Sequence, residues 1–178
     1  MKRLWAYVGA LVIAVLAVTA GFARSPVASA SSAGADRNVV QFQTMFPLSA
    51  PFVSPAGAIG GVPAAGLPWM IRSVHGGLDQ NGELTIDIDG LVLANDPTVP
   101  ANLRGTNPIP FFSAIVSCTT AANGVIATAN VTTANVPATM PGGDAHIDQR
   151  LTLPHPCVAP IVLVTAPGGS AWFAVTGS

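Results

Sequence analysis

Charged residues are scarce in this chain of 178 residues, and lysine is nearly absent. Only 8% of the residues are charged, and the one lysine, Lys2, lies close to the N-terminus. Beyond residue 30 the cations are four arginines: Arg37, Arg72, Arg104 and Arg150. Phosphate recognition needs clustered Lys and Arg, so the composition argues against nucleic acid as a partner. It excludes a polybasic membrane patch for the same reason.

The sequence also lacks the short motifs that mark many catalytic and cofactor sites. It has no Gly-x-Ser-x-Gly elbow, no paired Cys-x-x-Cys, no His-x-x-x-His and no phosphate-cradling glycine loop. We therefore predict no catalytic residue and no cofactor, and we expect the chain not to be an enzyme. A hydrolase whose residues converge only in space remains an open alternative.

The N-terminus has the pattern of an export signal. Lys2 and Arg3 precede an uncharged run, Leu4 to Phe22, and Ala28-Ser29-Ala30 supplies a small-x-small cleavage site. This pattern predicts a signal peptide with a signal helix over residues 1–30, cleavage near Ala30, and a secreted or cell-surface protein without further membrane contact. The alternative is an uncleaved anchor, because the apolar run approaches the ~20 residues that cross a bilayer. Either way the bulk of the chain is exported.

The rest of the chain alternates between short apolar stretches and turn residues. Residues 31–68 are predicted to be a flexible leader and a Pro/Gly-rich segment, with one possible strand at Val39 to Phe46. From residue 69 the strands become regular. Glu83 to Asp89 alternates without error, and Asn81-Gly82 and Asn123-Gly124 suit tight hairpins. The further strand predictions are Trp69–Leu78, Phe111–Thr119, Val125–Thr132, His146–Leu153, Val158–Thr165 and Ala171–Thr176.

Seven or eight short strands without a helix predict an all-β domain over residues 69–178. The expected architecture is an antiparallel β-sandwich, immunoglobulin-like in the broad sense, with a barrel as the alternative. The chain contains two cysteines, Cys118 and Cys157. They are expected to form a disulfide, because an even number of cysteines in an exported chain favours pairing. In the chain-entropy model a bridge closing a loop of this length stabilises the fold by about 4 kcal/mol.

Acidic and histidine side chains supply weak candidates for a metal site. Asp87 and Asp89 share one face of their predicted strand, and His146 shares a face with Asp148. If the two strands are neighbours, these four residues could bind Ca²⁺ or a transition metal. The plainer alternative is a solvated face on which Arg150 pairs with a nearby acid. His75 lies beside Gly76 and His155 lies between two prolines, so both are expected at turns.

The function that these features favour is a structural or interaction module. We expect it to contact a protein or glycan at or beyond the cell surface, and its weak charge permits self-association. Trp69 and Trp172 are the candidate platforms for stacking a sugar ring, and the alternative for both is a place in the core. A metal-binding exported domain is the second functional hypothesis.

Overall fold

The computed structural model describes residues 38–122 and 124–177, and the predicted signal helix lies outside this range. Within it, no helix has the length and apolar character that a membrane span requires. Helix is limited there to two short 3₁₀ turns, at Ser54–Gly57 and Pro167–Gly169. The strands are β1 Asn38–Phe42, β2 Phe46–Pro47, β3 Trp69–Met70, β4 Ser73–Asp79, β5 Glu83–Asp89, β6 Val92–Leu93, β7 Phe111–Ala122, β8 Val125–Thr132, β9 Val136–Pro137, β10 Ala145–Arg150, β11 Val158–Thr165 and β12 Trp172–Val175.

The fold is all-β and its named strands pair antiparallel, as the sequence predicted. One sheet has four strands in the order β1-β4-β5-β10. A second has six, in the order β2-β12-β11-β7-β8, with β9 pairing the start of β7. β3 and β6 form a separate two-stranded ribbon.

Apolar and acidic side chains alternate along β5, and this alternation determines which face of the four-stranded sheet is buried. Leu84, Ile86 and Ile88 are buried, whereas the side chains of Asp87 and Asp89 reach solvent. The buried set belongs to one hydrophobic core that also contains residues of the six-stranded sheet, among them Phe112 and Leu163. The non-polar faces of the two sheets therefore bury the same core, and the charged face of the four-stranded sheet is left to the solvent.

Two neighbouring glycines on β4 occupy positions that face opposite sides of the four-stranded sheet. Gly76 follows the inward parity of Val74 and Leu78, and a Cβ placed on it would meet the backbone oxygen of Thr85 and the ring of Phe42, at 2.7 Å from Cζ. The Phe42 ring therefore occupies the space that a side chain would need. Gly77 has outward parity, and a Cβ there would come no closer than 3.3 Å, to the backbone oxygen of Val40.

Residues 38–68 pack as part of this domain. Met45, Leu48 and Val62 are buried in the common core. β1 adds to the four-stranded sheet and β2 adds to the edge of the six-stranded sheet beside β12. Between them, the predicted strand Val39–Phe46 is interrupted after Phe42.

Other predicted strands also differ from the observed ones: Phe111–Thr119 continues to Ala122, and two further strands differ because of the partners with which they pair. Trp69–Leu78 divides at Ile71 and Arg72, because β3 pairs with β6 while β4 pairs with β5. The strand predicted from His146 ends at Arg150 instead of Leu153, where the Leu151 N–H turns to the carbonyl of Gly82 at 2.8 Å. Both differences arise from pairing partners that are distant in the sequence, which local alternation does not reveal.

The predicted disulfide between Cys118 and Cys157 is confirmed. Cys118 is buried on β7, and Cys157 immediately precedes β11. β7 and β11 are hydrogen-bonded neighbours, with Val158 opposite Thr119. The bridge therefore joins two adjacent central strands across 39 residues of sequence.

The contrast between Gly76 and Gly77 gives a test of the core. We expect Gly76→Ala to lower the free energy of unfolding by about 1–3 kcal/mol, because the new methyl collides with backbone and with Phe42. Gly77→Ala, the matched control, should change it by less than about 1 kcal/mol. Urea unfolding followed by tryptophan fluorescence measures both. Equal losses in the two variants would contradict this account of β4.

Candidate functional site

The strands that carry the predicted acidic and histidine residues are direct neighbours. β10 pairs with β5 so that His146 lies opposite Asp87 and Asp148 opposite Thr85. β4 pairs with the other edge of β5 and places His75 opposite Asp87 as well. Three strands that are adjacent in the sheet, β4, β5 and β10, thus bring one carboxylate and two imidazoles into a single row. His75, for which a turn is expected, lies inside β4, within the segment predicted as the strand Trp69–Leu78.

This row, His75–Asp87–His146, is held by two polar contacts to one carboxylate. His146 Nδ1 lies 2.7 Å from Asp87 Oδ1, and His75 Nε2 lies 3.2 Å from Asp87 Oδ2. Each ring therefore uses a different oxygen. All three side chains are substantially exposed, so solvent screens the contacts and they add little to stability.

The other two metal candidates have different surroundings. Asp89 Oδ1 pairs with Arg72 Nη1 at 2.7 Å, and Asp89 Oδ2 accepts a hydrogen bond from Ser73 at 3.3 Å. Asp148 lies across from Thr85, one outward position along β10 from His146. Of the four candidates, the structure thus brings only Asp87 and His146 together. It also places His75, which is not one of the four, beside Asp87. As they stand, no three His, Cys, Asp or Glu side chains in the described residues form a group ready to hold a metal ion.

The plainer alternative for this face also has structural support. Arg150, opposite Glu83 on β5, approaches its carboxylate at 3.5 Å. This is the cross-strand ion pair that the sequence predicted for Arg150. An open groove of about 490 Å³ includes His75 and Asp87 in its lining, together with Gly76, Gly77 and polar side chains such as Gln41.

The carboxylate of Asp144, which immediately precedes β10, accepts hydrogen bonds from two residues near the end of β5 and in a neighbouring loop. Thr139 Oγ1 donates to Asp144 Oδ2 at 2.9 Å, and the Gly90 N–H donates to Asp144 Oδ1 at 3.0 Å. Gly90, the residue that follows β5, has φ +69°, a conformation that favours glycine. Both hydrogen bonds favour the ionised form, so they hold the pKa of Asp144 below its usual value, with the Thr139 bond contributing most.

A second candidate site lies at the edge of the six-stranded sheet and is apolar. It is a pocket of about 610 Å³ next to β2, and we call it the Phe46–Phe52 pocket. Phe46 is 63% exposed and Phe52 is 56% exposed, although both are large apolar residues. The lining residues are Phe46, Pro47, Ser49, Phe52, Ala56, Gly57, Ala58, Ile59, Trp172 and Val175.

Backbone contacts to β12 hold the wall of this pocket in place. The Leu48 N–H donates to Phe173 O at 2.7 Å, and the Ala65 N–H donates to Trp172 O at 3.1 Å. The indole N–H of Trp172 donates to Gly57 O at 2.8 Å and fixes the 3₁₀ turn above it. The Pro- and Gly-rich segment is therefore an ordered loop that folds over the end of the sheet.

Sequence reasoning did not identify the Phe46–Phe52 pocket. The sequence contains one indication of it, the pair Phe46 and Phe52 in or beside a loop rich in Pro and Gly. Apolar residues in such a loop show no periodicity, so the sequence pattern does not assign them to a core. The tryptophans that were singled out as sugar platforms are both only 4% exposed. Trp69 packs against Phe173 with ring centroids 4.1 Å apart, and so belongs to the core.

Similarity to known proteins adds nothing to these two sites. The chain matches no protein-family model, and comparisons with curated proteins and with solved structures found no match. The functional argument therefore depends on the geometry of the described residues.

The lowered pKa of Asp144 predicts a loss of stability in acid. A carboxylate whose pKa is lower in the folded than in the unfolded state contributes stability above the unfolded value, and this contribution disappears as the pH falls through the folded value. We expect Asp144→Asn to have a lower melting temperature at pH 7 and a smaller further decrease between pH 5 and pH 2. Thermal melts across this range measure it, with Asp148→Asn as the control for removing one charge. An unchanged acid dependence in Asp144→Asn would refute the assignment.

Proposed function

We propose that this chain is an exported, non-enzymatic β-sandwich that binds a partner protein at or beyond the cell surface through the Phe46–Phe52 pocket. The basic start and uncharged run at the N-terminus support export. The disulfide is consistent with an oxidising compartment. The shared core of the four- and six-stranded sheets supports the sandwich.

The observation that carries the proposal is the apolar pocket itself. Its volume of about 610 Å³ falls within the range of binding sites for small molecules and side chains. Phe46 and Phe52 leave apolar surface in contact with water, which favours any partner that covers it. Exposed aromatic residues around a concave site are typical of the energetic centre of protein interfaces.

The lining of the pocket favours a protein over a glycan. Sugar hydroxyls need hydrogen-bond partners, and in this pocket the polar side-chain groups are the Ser49 hydroxyl and the Trp172 indole. The indole N–H already donates to Gly57 O. An aliphatic or aromatic side chain of a partner protein matches the remaining surface, because it brings no polar group of its own that would need a hydrogen bond there.

The pocket makes a testable prediction about apolar probes. We expect the exported protein to bind the dye 8-anilinonaphthalene-1-sulfonate, and Phe46→Ser or Phe52→Ser to weaken this binding about tenfold. Covering a phenylalanine is worth about 1.5 kcal/mol or more, and 1.4 kcal/mol is a tenfold change in affinity. The matched control is Phe111→Ser, because Phe111 is also partly exposed but does not line the pocket.

Crosslinking then tests the class of partner. A photoreactive phenylalanine analogue replacing Phe52 should form a covalent protein adduct in the cell envelope, and the same analogue replacing Phe111 should not. Adding Phe46→Ser should abolish the adduct. Dye binding without any protein adduct would refute a protein partner, and catalytic turnover on a panel of hydrolase substrates would refute the non-enzymatic assignment.

The His75–Asp87–His146 row supports metal binding as a second candidate function. Two imidazole nitrogens and a carboxylate are a ligand set that suits Zn²⁺ or Cu²⁺ better than Ca²⁺. The side chains are exposed, so the rings can turn from Asp87 toward an ion without repacking the core. Water would complete the coordination.

The chain contains three histidines, which allows a controlled test of this candidate. At a Zn²⁺ concentration tenfold above its dissociation constant, the melting temperature should rise by roughly 3–6 °C and return after EDTA is added. His75→Ala and His146→Ala should each abolish the rise, whereas His155→Ala, which changes the histidine outside the row, should retain it. No rise in the unmodified protein with Zn²⁺ or Cu²⁺ would eliminate metal binding at this row.

A further inference from the structure

The terminal strand of the six-stranded sheet, β8, has an open edge in the described part of the chain. It pairs with β7 over eight consecutive residues without a register shift, from Val125 opposite Ala122 to Thr132 opposite Ile115. No other described strand pairs with it. β8 is thus a long, regular edge strand.

The backbone groups at this edge can be assigned from the pairing with β7. The Thr133 N–H donates to Ala114 O at 2.9 Å, so Thr133 directs its backbone groups toward β7. In an antiparallel pair this direction alternates from one residue to the next. Ile126, Thr128, Asn130 and Thr132 therefore direct their N–H and C=O groups away from β7, toward the open edge.

The other terminal strands carry features that hinder edge pairing, and β8 carries none of them. β10 presents His146, Asp148 and Arg150. β1 has five residues and an irregular register, and β2 has two residues, one of them Pro47. β8 is eight residues long and contains no charge, no proline and no glycine. Natural sheets use such features to prevent strand addition, so their absence singles out this edge.

Apolar side chains are exposed at the start of the same strand. Val125 is 66% exposed and Ile126 is 78% exposed. An extended strand added beside β8 would cover part of both. A charged strand would bring ionic groups against this surface, so an uncharged strand is the matching partner.

We propose that β8 pairs with β8 of a second copy of this chain, antiparallel, across a two-fold axis at Thr128. The axis is perpendicular to the sheet, so core-facing residues of one copy must lie opposite core-facing residues of the other. With the axis at Thr128, Val125 lies opposite Val131 of the second copy and Ile126 opposite Asn130. An axis at Ala129 would instead place Val125 opposite Thr133, which lies beyond the end of β8 and is buried, with its hydroxyl accepting a hydrogen bond from the Ala114 N–H.

A second copy is the occupant that the described residues favour. Both strands of the pair are then uncharged, and every outward-directed backbone group of Ile126, Thr128 and Asn130 finds a partner. The contact is isologous, so it closes as a dimer and does not continue as a fibre. The two six-stranded sheets become one continuous sheet, on which Thr128 of each copy meets its symmetry mate.

The test uses a charge placed on the axis and a control placed one strand away. For the protein purified after export, with its N-terminus read by mass spectrometry, light scattering should give the mass of a dimer at 100 µM. Thr128→Lys places like charges directly opposite each other and should raise the dimer dissociation constant at least about tenfold. Thr119→Lys makes the same change on β7, directly opposite Thr128 in the β7–β8 pair, and should leave the dimer intact.

Crosslinking keeps the test decisive if Thr128→Lys fails to fold. Thr128→Cys should give dimers with a short bis-maleimide reagent, and Thr119→Cys should give few. A monomer at concentrations up to several hundred µM would overturn the proposal, as would a dimer that survives Thr128→Lys in folded protein. A dimer in which both cysteine variants crosslink equally would also overturn it, because the contact would then not be the β8 edge.

Discussion

The registers of β5 with its two neighbours are the constraint on which the polar face of this molecule depends. Leu84, Ile86 and Ile88 are buried in the core, so the residues between them must face outward. Pairing with β4 and β10 then places His75 and His146 on either side of Asp87. A shift of one residue in either pairing would turn the outward side chains of that neighbouring strand toward the core and expose Leu78 of β4 or Ile147 of β10. The burial of apolar residues therefore fixes the position of the imidazoles.

Local periodicity predicted the parts of this face that depend on one strand. The alternation of Glu83–Asp89 gave its bounds and its outward acids, and the spacing from His146 to Arg150 gave a second outward set. The sequence did not predict that His75 would join them, because that depends on which strand pairs with the far edge of β5. Sheet order is a long-range property, and a residue beside Gly76 resembles a turn when its strand is considered alone.

The apolar pocket was beyond prediction for a different physical reason. Its wall is a loop held by backbone hydrogen bonds to β12, such as those from Leu48 and Ala65. Such contacts involve N–H and C=O groups that every residue carries, so side-chain identity gives little indication of where the loop will dock. With the loop docked in this way, Phe46 and Phe52 both remain largely exposed. The same limit applies to β3 and β4, whose separation follows from different partners.

The distribution of charge links the pocket and the β8 edge. No strand of the six-stranded sheet contains a charged residue, whereas β4, β5 and β10 of the other sheet all do. Among the strands of these two sheets, the strongly hydrated ionic groups are therefore confined to the four-stranded sheet. Ionic groups resist burial in a contact because their desolvation is costly, and the six-stranded sheet avoids that cost. Both proposed contacts lie on this sheet, the pocket at its β2 end and the open edge at β8. A partner protein and a second copy can therefore bind at opposite ends of one sheet without competing for the same strand.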